Sequence, residues 1–132
     1  MKRYIRIVAG SVQKLAELND SPTADAVWES LPLEAPGSRW GDEIYFSIPV
    51  SLGAQQAKEV VEAGDLAYWP PGKAFCIFWG PTPASSAGEI RPASPVNVFG
   101  RILSGPSDFG RVRSGSKVRV ERAQGEAGMK PK

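Results

Sequence analysis

Residues 64–83, GDLAYWPPGKAFCIFWGPTP, restrict the possible folds of this chain more than any other segment. They hold five of the chain's twelve aromatic residues and its only cysteine. Proline presets φ early in a type II turn and glycine accepts the positive φ that follows, so residues 70–73, Pro-Pro-Gly-Lys, predict such a turn. The segment therefore predicts a β-hairpin with strands at 66–69 and 74–79. The second strand is apolar throughout, so we expect both of its faces to be covered, as core, as the wall of a pocket, or as both.

Most of the remaining chain also has the pattern of short strands. Ser21 and Pro22 are typical of a helix start, and the apolar spacing that follows predicts one helix, which Pro32 ends. Residues 12–18 have apolar residues at helical spacing, but their position after a strand and a turn favours a returning strand. Seven or eight strands with one or two short helices predict a mainly β protein, a small closed or nearly closed β-barrel. The further predicted strands are residues 2–9, 12–18, 43–49, 96–103 and 117–122.

Length and charge predict one domain and exclude several partners. A chain of 132 residues predicts a single domain, which we place at residues 1–123, followed by a mobile polar tail at 124–132. The net charge of +2 is scattered along the chain, so no nucleic-acid partner is expected. No apolar run approaches the ~20 residues of a membrane span. One cysteine and no recognisable signal peptide lead us to expect a cytoplasmic protein.

The absence of histidine restricts the chemistry that this chain can perform. Histidine is the usual base of nucleophilic triads and the commonest metal ligand. Without it, and with one cysteine, the sequence disfavours zinc and non-haem iron sites. We therefore expect no metal and no cofactor, and any catalysis would use carboxylates, Arg, Lys or Tyr.

Three motifs, in the same order along the chain, resemble the small prokaryotic cyclophilin-like proteins. They are RWGDEIYFSIPV at residues 39–50, the hairpin at 64–83, and PVNVFGRILSG at 95–105. The resemblance extends over about residues 2–123. It implies a closed cyclophilin-like barrel of about eight strands with helices near its ends, in a family without an established function.

The same resemblance implies where a prolyl isomerase site would lie. True cyclophilins carry a catalytic arginine on the strand that here spans 45–49 and a glutamine on the strand at 74–78. They also have a histidine near the position of Val96 and a tryptophan in the loop at 81–95. None of these residue types occurs in the corresponding segment. Without the arginine that would weaken amide resonance, we expect the shape of the barrel without its isomerase electrostatics.

The candidate ligand-binding residues are aromatic and polar side chains that we expect to face away from the core. Neighbours in a strand point to opposite faces, so Tyr68 and Trp69 cannot both be core residues. The paired acids Asp42 and Glu43 could work as general acid and base, and we prefer Glu43 because it lies between Trp40 and Tyr45. Alternation predicts that Asn97 and Arg101 share one face, where they could orient a carboxylate or carbonyl. The complete candidate set is Trp40, Glu43, Tyr45, Tyr68, Trp69, Pro70, Asn97 and Arg101.

Ordinary structural roles remain open for the same residues. The aromatic side chains could be core, with Phe75 and Phe78 pointing inward. Asp42 and Glu43 could form a solvated turn, and the Asn97 strand face could be exposed. Cys76 is expected to be a small buried apolar residue.

The sequence thus predicts a protein that binds a peptide or small apolar ligand in an aromatic groove, without the catalytic residues of a prolyl isomerase. One alternative is a peptidyl-prolyl isomerase with a rearranged site. Another is an enzyme, or enzyme subunit, of a different class that uses Glu43. We expect a monomer or a small homo-oligomer.

Overall fold

The computed structural model describes residues 2–124 and is mainly β. Nine strands form a single sheet in the order β3-β9-β1-β2-β8-β6-β7-β5-β4. The predicted β-barrel with short helices is therefore confirmed, with nine strands in place of about eight. The predicted tail lies, apart from Gln124, outside the described residues. The strands are β1 Arg3–Ala9, β2 Val12–Leu18, β3 Leu33–Pro36, β4 Ser38–Arg39, β5 Glu43–Ser47, β6 Asp65–Trp69, β7 Ala74–Phe78, β8 Asn97–Ile102 and β9 Lys117–Ala123.

Gly37 joins the two ends of the sheet and nearly closes the barrel. It connects β3 to β4, which lie at opposite ends of the strand order. Its N–H donates to the carbonyl of Ser116 at 2.8 Å, and its carbonyl accepts from the N–H of Gly115 at 2.7 Å. A Cβ at this position would lie 2.9 Å from methyl groups of both Ile44 and Val118. Only glycine lets the backbone approach the core this closely.

Side chains that alternate along each strand point inward and fill the barrel interior. Phe75 lies at its centre, stacked on Phe46 with ring centroids 5.0 Å apart and edge-to-face with Phe99 at 5.0 Å. Val118 and Val120 point inward as predicted and are fully buried.

A second apolar cluster covers the outer face of the hairpin. All five residues of β7 are buried, so the prediction that both of its faces are covered is confirmed. Phe78, however, belongs to this outer cluster, and the prediction that it points inward with Phe75 was wrong. Positions three apart in a strand lie on opposite faces. Two loops complete the cluster, held by the bridges of Lys58 with Val96 and of Val61 with Ile90.

The predicted helix is present as α1, Pro22–Ser30. The Ser21 hydroxyl accepts a hydrogen bond from the N–H of Ala24 at 3.1 Å, as predicted for an N-cap. Two 3₁₀ helices, Pro70–Gly72 and Pro106–Arg111, complete the helical content of residues 2–124. Among residues 2–124, no helix has the length and apolar character that crossing a membrane requires.

The turn of the hairpin differs from the prediction. Residues 70–72 form a 3₁₀ turn, and the left-handed residue is Lys73, with φ of 48°, rather than Gly72. The type II turn was therefore wrong. Gly72 is needed for space, because a Cβ there would lie 2.7 Å from the ring of Trp69.

A β-bulge in β8 separates Asn97 from Arg101. Leu66 of β6 faces Gly100, but the next residue, Ala67, faces Val98, which leaves Phe99 without a partner in that pairing. The extra residue reverses the alternation of side chains. Asn97 is consequently 1% exposed while Arg101 is exposed to solvent, so the prediction that they share one face was wrong.

Candidate functional site

A pocket of about 270 Å³ lies on the outer side of the barrel, between the hairpin strands and the loop that follows β7. Four of the predicted site residues line it: Trp40, Glu43, Tyr45 and Trp69. The loop contributes Pro92, Ala93 and Val96. The lining is thus predominantly apolar and aromatic with one ionisable carboxyl group, the composition expected of a small-ligand site.

Trp69 is held in place from two sides. It ends β6, on the outer face, and its ring packs directly over Gly72. Its indole Nε1–H donates to the Ser94 hydroxyl at 2.7 Å, which ties the ring to the opposite loop. A half-buried indole with a satisfied N–H presents a fixed apolar surface to the pocket.

Trp40 lies in the tight turn between β4 and β5. Its N–H donates to the carbonyl of Glu43 at 3.0 Å, and Gly41 takes a positive φ of 65°. The N–H of Asp42 donates to the carbonyl of Pro81 at 2.9 Å, so the turn is fixed against the start of the loop. The backbone of the turn therefore determines where Trp40 and Glu43 enter the pocket.

Glu43 is the unusual residue of the site. It is 5% exposed, and it lies opposite Phe78 in the pairing of β5 with β7. Burial raises the pKa of its carboxyl to about 7, and a hydrogen bond from the Cys76 thiol opposes this rise. Near neutral pH the group is therefore divided between its acid and its carboxylate form.

The Cys76 thiol is a hydrogen-bond partner of Glu43. The thiol is fully buried, and burial, followed by the charge of Glu43, raises its pKa. The thiol has one proton, so it can donate a hydrogen bond either to Glu43 or to the carbonyl oxygen of Ala74, which lies 3.8 Å from Sγ. A thiol is a weak donor, so it compensates little of the cost of burying a carboxylate.

Among the described residues, no lysine or arginine lines this pocket. The guanidinium of Arg39 donates instead to the carbonyls of Gly110 at 2.9 Å and Val112 at 3.2 Å, and lies over the ring of Trp79. Arg91 is paired with Glu89 at 2.7 Å. The charge of an ionised Glu43 is consequently not balanced by a cation of the pocket lining.

The loop that forms the far wall has its own hydrogen-bonded structure. The Thr82 hydroxyl donates to the carbonyl of Arg91, and the Ser85 hydroxyl accepts from the N–H groups of Thr82 and Arg91, each at 3.0 Å. These bonds fold residues 82–91 back on themselves and bring Pro92 and Ala93 to the pocket. Sequence reasoning missed these wall residues, because proline content predicts a loop but not its path.

The other four candidates lie elsewhere. Tyr68 is fully buried in the barrel core, where its hydroxyl donates to the carbonyl of Val50 and accepts from the N–H of Leu52. Pro70 begins the 3₁₀ turn and is not part of the pocket lining. Arg101 lines a separate depression together with Glu17, Asn19 and Asp65.

Asn97 is part of a buried polar network on the inner side of the sheet. Its Nδ2 donates to the Thr23 hydroxyl at 3.2 Å and to the carbonyl of Gly53 at 3.0 Å. Its Oδ1 accepts from the N–H of Gln55 at 2.9 Å. These bonds connect the helix and the loop after β5 to β8, so Asn97 has a structural role. Within residues 2–124, no group of three or more acidic, cysteine or histidine side chains could hold a metal ion.

Comparison with known proteins agrees with this architecture. A family model described as Cyclophilin-like matches residues 3–121. A solved structure, the solution structure of a hypothetical protein from Archaeoglobus fulgidus, is 43% identical in sequence. It superposes with a TM-score of 0.77, and the match covers 92% of this chain and 95% of that one. No curated protein matches the chain significantly. The resemblance predicted from the three sequence motifs is confirmed.

Proposed function

We propose a ligand-binding function for this chain, which belongs to the cyclophilin-like family. The proposed ligand is a small molecule or a short peptide segment. Its apolar part would lie between Trp40, Tyr45 and Trp69, and a polar group would meet the carboxyl of Glu43. The observation that carries the proposal is a glutamate, Glu43, that is 5% exposed and lines an aromatic pocket.

The burial of Glu43 supports binding because it does not help the fold. An acid whose pKa is raised by burial destabilises the folded protein at neutral pH. An apolar residue of similar size would pack against Phe78 and Cys76 without that penalty. Buried ionisable groups that destabilise the fold concentrate at functional sites, where a ligand can supply the partner that the group lacks.

Prolyl isomerisation is disfavoured as the function of this pocket. Neither β5 nor β7 carries an arginine or a glutamine, and the guanidinium of Arg39 is held by backbone carbonyls. The lining offers Glu43, whose ionised form repels the amide oxygen that a catalyst must stabilise.

We therefore expect no acceleration of cis–trans exchange in a proline peptide. The uncatalysed reaction takes tens to hundreds of seconds, which is too slow to give exchange peaks. NMR exchange spectroscopy on acetyl-Ala-Pro-Phe-amide should therefore show no exchange peaks either with or without the protein. A true cyclophilin serves as the positive control. Acceleration that disappears in Trp69→Ala would contradict this expectation and assign isomerase activity to the pocket.

Binding itself can be tested with neutral probes and a tryptophan control. We expect wild-type protein to bind benzamide or the proline peptide in thermal-shift and NMR titrations, and Trp69→Ala to weaken that binding roughly tenfold or more. A ligand at 100 times its Kd should add about 2.7 kcal/mol of stability.

Trp28→Ala is the matched control for this experiment. Trp28 is also a half-buried tryptophan, but it contacts Arg3 and Arg122 on the helix side of the barrel. Its replacement should leave probe affinity unchanged. Equal weakening in both variants would show that loss of stability, and not loss of the pocket, causes the effect.

A further inference from the structure

We infer that the pocket selects organic cations, namely small alkylated ammonium groups, with Glu43 as the counter-charge and Trp40, Tyr45 and Trp69 as the surrounding aromatic surface. This inference rests on the proposed function and names its ligand class. Aromatic rings attract ammonium ions through their quadrupoles, and pockets of several rings are the usual means of binding quaternary ammonium.

The charge of the lining favours a cation over an anion. Glu43 is the ionisable carboxyl of the pocket, and no lysine or arginine is among the described residues that line it. An anionic ligand would meet the carboxylate without a compensating positive group and would lose its own hydration. A cation would instead balance the buried carboxylate and replace the weak thiol hydrogen bond as its main partner.

The size of the pocket indicates a small ligand or a head group. Its volume of about 270 Å³ lies near the lower end of the range for small-molecule sites. The indole of Trp69 is fixed by Ser94 and Gly72, so this wall of the pocket cannot move outward without breaking the bond between Trp69 and Ser94. A compact ammonium group with a short substituent suits such a pocket better than an extended peptide.

Binding of a cation should require the ionised form of Glu43. The other titratable groups near it are the Cys76 thiol of β7, which burial keeps protonated, and the Tyr45 phenol of its own strand. Asp42 in the preceding turn is directed to Arg39, at 3.4 Å. Within the described part of the chain, β6 and the loop contribute no titratable side chain to the lining. With a pKa of about 7 for Glu43, affinity for a cation should rise about tenfold from pH 6 to pH 8.

A pair of isosteric probes tests this inference. Choline and 3,3-dimethylbutan-1-ol have the same shape, but the second carries a tert-butyl group in place of the trimethylammonium. We expect calorimetric or NMR titration at pH 8 to give at least tenfold tighter binding of choline. The preference should shrink at pH 6, and it should be lost, with its pH dependence, in Glu43→Gln. Glu29→Gln, at an exposed helix position, should behave like wild type.

The outcomes separate the two proposals. Equal binding of the two probes, or binding of benzamide or the proline peptide but of neither isostere, overturns cation selection and leaves the proposed function in place. Tighter choline binding that is independent of pH and of Glu43→Gln overturns the role of Glu43. Failure of every probe to bind overturns both the inference and the proposed function.

Discussion

Replacing Glu43 with glutamine is expected to stabilise the protein by about 3 kcal/mol at pH 8 and to change its stability little at pH 4. The pKa of a glutamate carboxyl is 4.5 when water surrounds it, as in the unfolded chain, and about 7 for Glu43 in the folded protein. The folded state therefore binds more protons than the unfolded state between these values. Stability contributed by this group falls as pH rises from about 4.5 to 7 and is constant above that range. The full difference between the two pKa values corresponds to about 3 kcal/mol of folding free energy.

Glutamine is the suitable replacement because it has the shape of the protonated acid and never ionises. Urea unfolding of both proteins at pH 4, 6 and 8 measures the effect, with the difference between the proteins as the observable. Taking this difference cancels the contributions of paired acids such as Asp108 and Glu121, because their lowered pKa values stabilise both proteins equally at high pH and this stabilisation is lost in both as pH falls. Glu29→Gln provides the control. A difference that does not change with pH would contradict the raised pKa of the buried carboxyl.

If Glu43→Gln is more stable and binds choline less well, Glu43 is a site at which stability is exchanged for recognition. Both effects would have one physical origin, because the carboxylate that lacks a strong partner in the free protein obtains one from the ligand. Stability and binding would therefore change in opposite directions at this position, as is common for functional residues.

Phe75→Ala is expected to destabilise the protein by about 3–5 kcal/mol, the range measured for removal of a buried aromatic ring. Phe75 is fully buried and contacts the rings of Phe46 and Phe99, both at 5.0 Å between centroids. Neighbouring strands hold these rings in place, so they cannot collapse fully into the space that the substitution leaves. Urea unfolding in neutral buffer gives the change in free energy.

Val60→Ala is the control for the core experiment. Val60 is 41% exposed, so its truncation should change stability by no more than about 0.5 kcal/mol. A loss of less than about 1 kcal/mol in Phe75→Ala would contradict the central position of Phe75 in the barrel.

Local sequence patterns predicted much of the fold. Alternation of apolar residues placed Val118 and Val120 inside, and Ser21 with Pro22 marked the start of the helix. Adjacent Tyr68 and Trp69 had to lie on opposite faces, and they do: Tyr68 is in the core and Trp69 lines the pocket. These predictions succeed because strand and helix periodicities are properties of neighbouring residues.

The bulge in β8 shows why some site predictions could not succeed. Strict alternation placed Asn97 and Arg101 together, but one extra residue between them put Asn97 in a buried network and Arg101 on the surface. A bulge depends on the pairing with β6, and the β8 sequence alone contains no signal for it other than Gly100. A Cβ at Gly100 would lie 2.7 Å from the carbonyl oxygen of Glu17.

By itself the sequence determined seven of the nine strands, the α-helix, the family and the aromatic residues available for a site, because these follow from local periodicity, turn residues and motif order. Only the tertiary structure decided which of those residues meet. It folded the loop at 82–91 back to bring Pro92 and Ala93 opposite Trp40 and Trp69, and it buried Glu43 between them. The chemical character of Glu43 could not be predicted from its neighbours in the chain, because its pKa depends on the water that distant segments exclude from it.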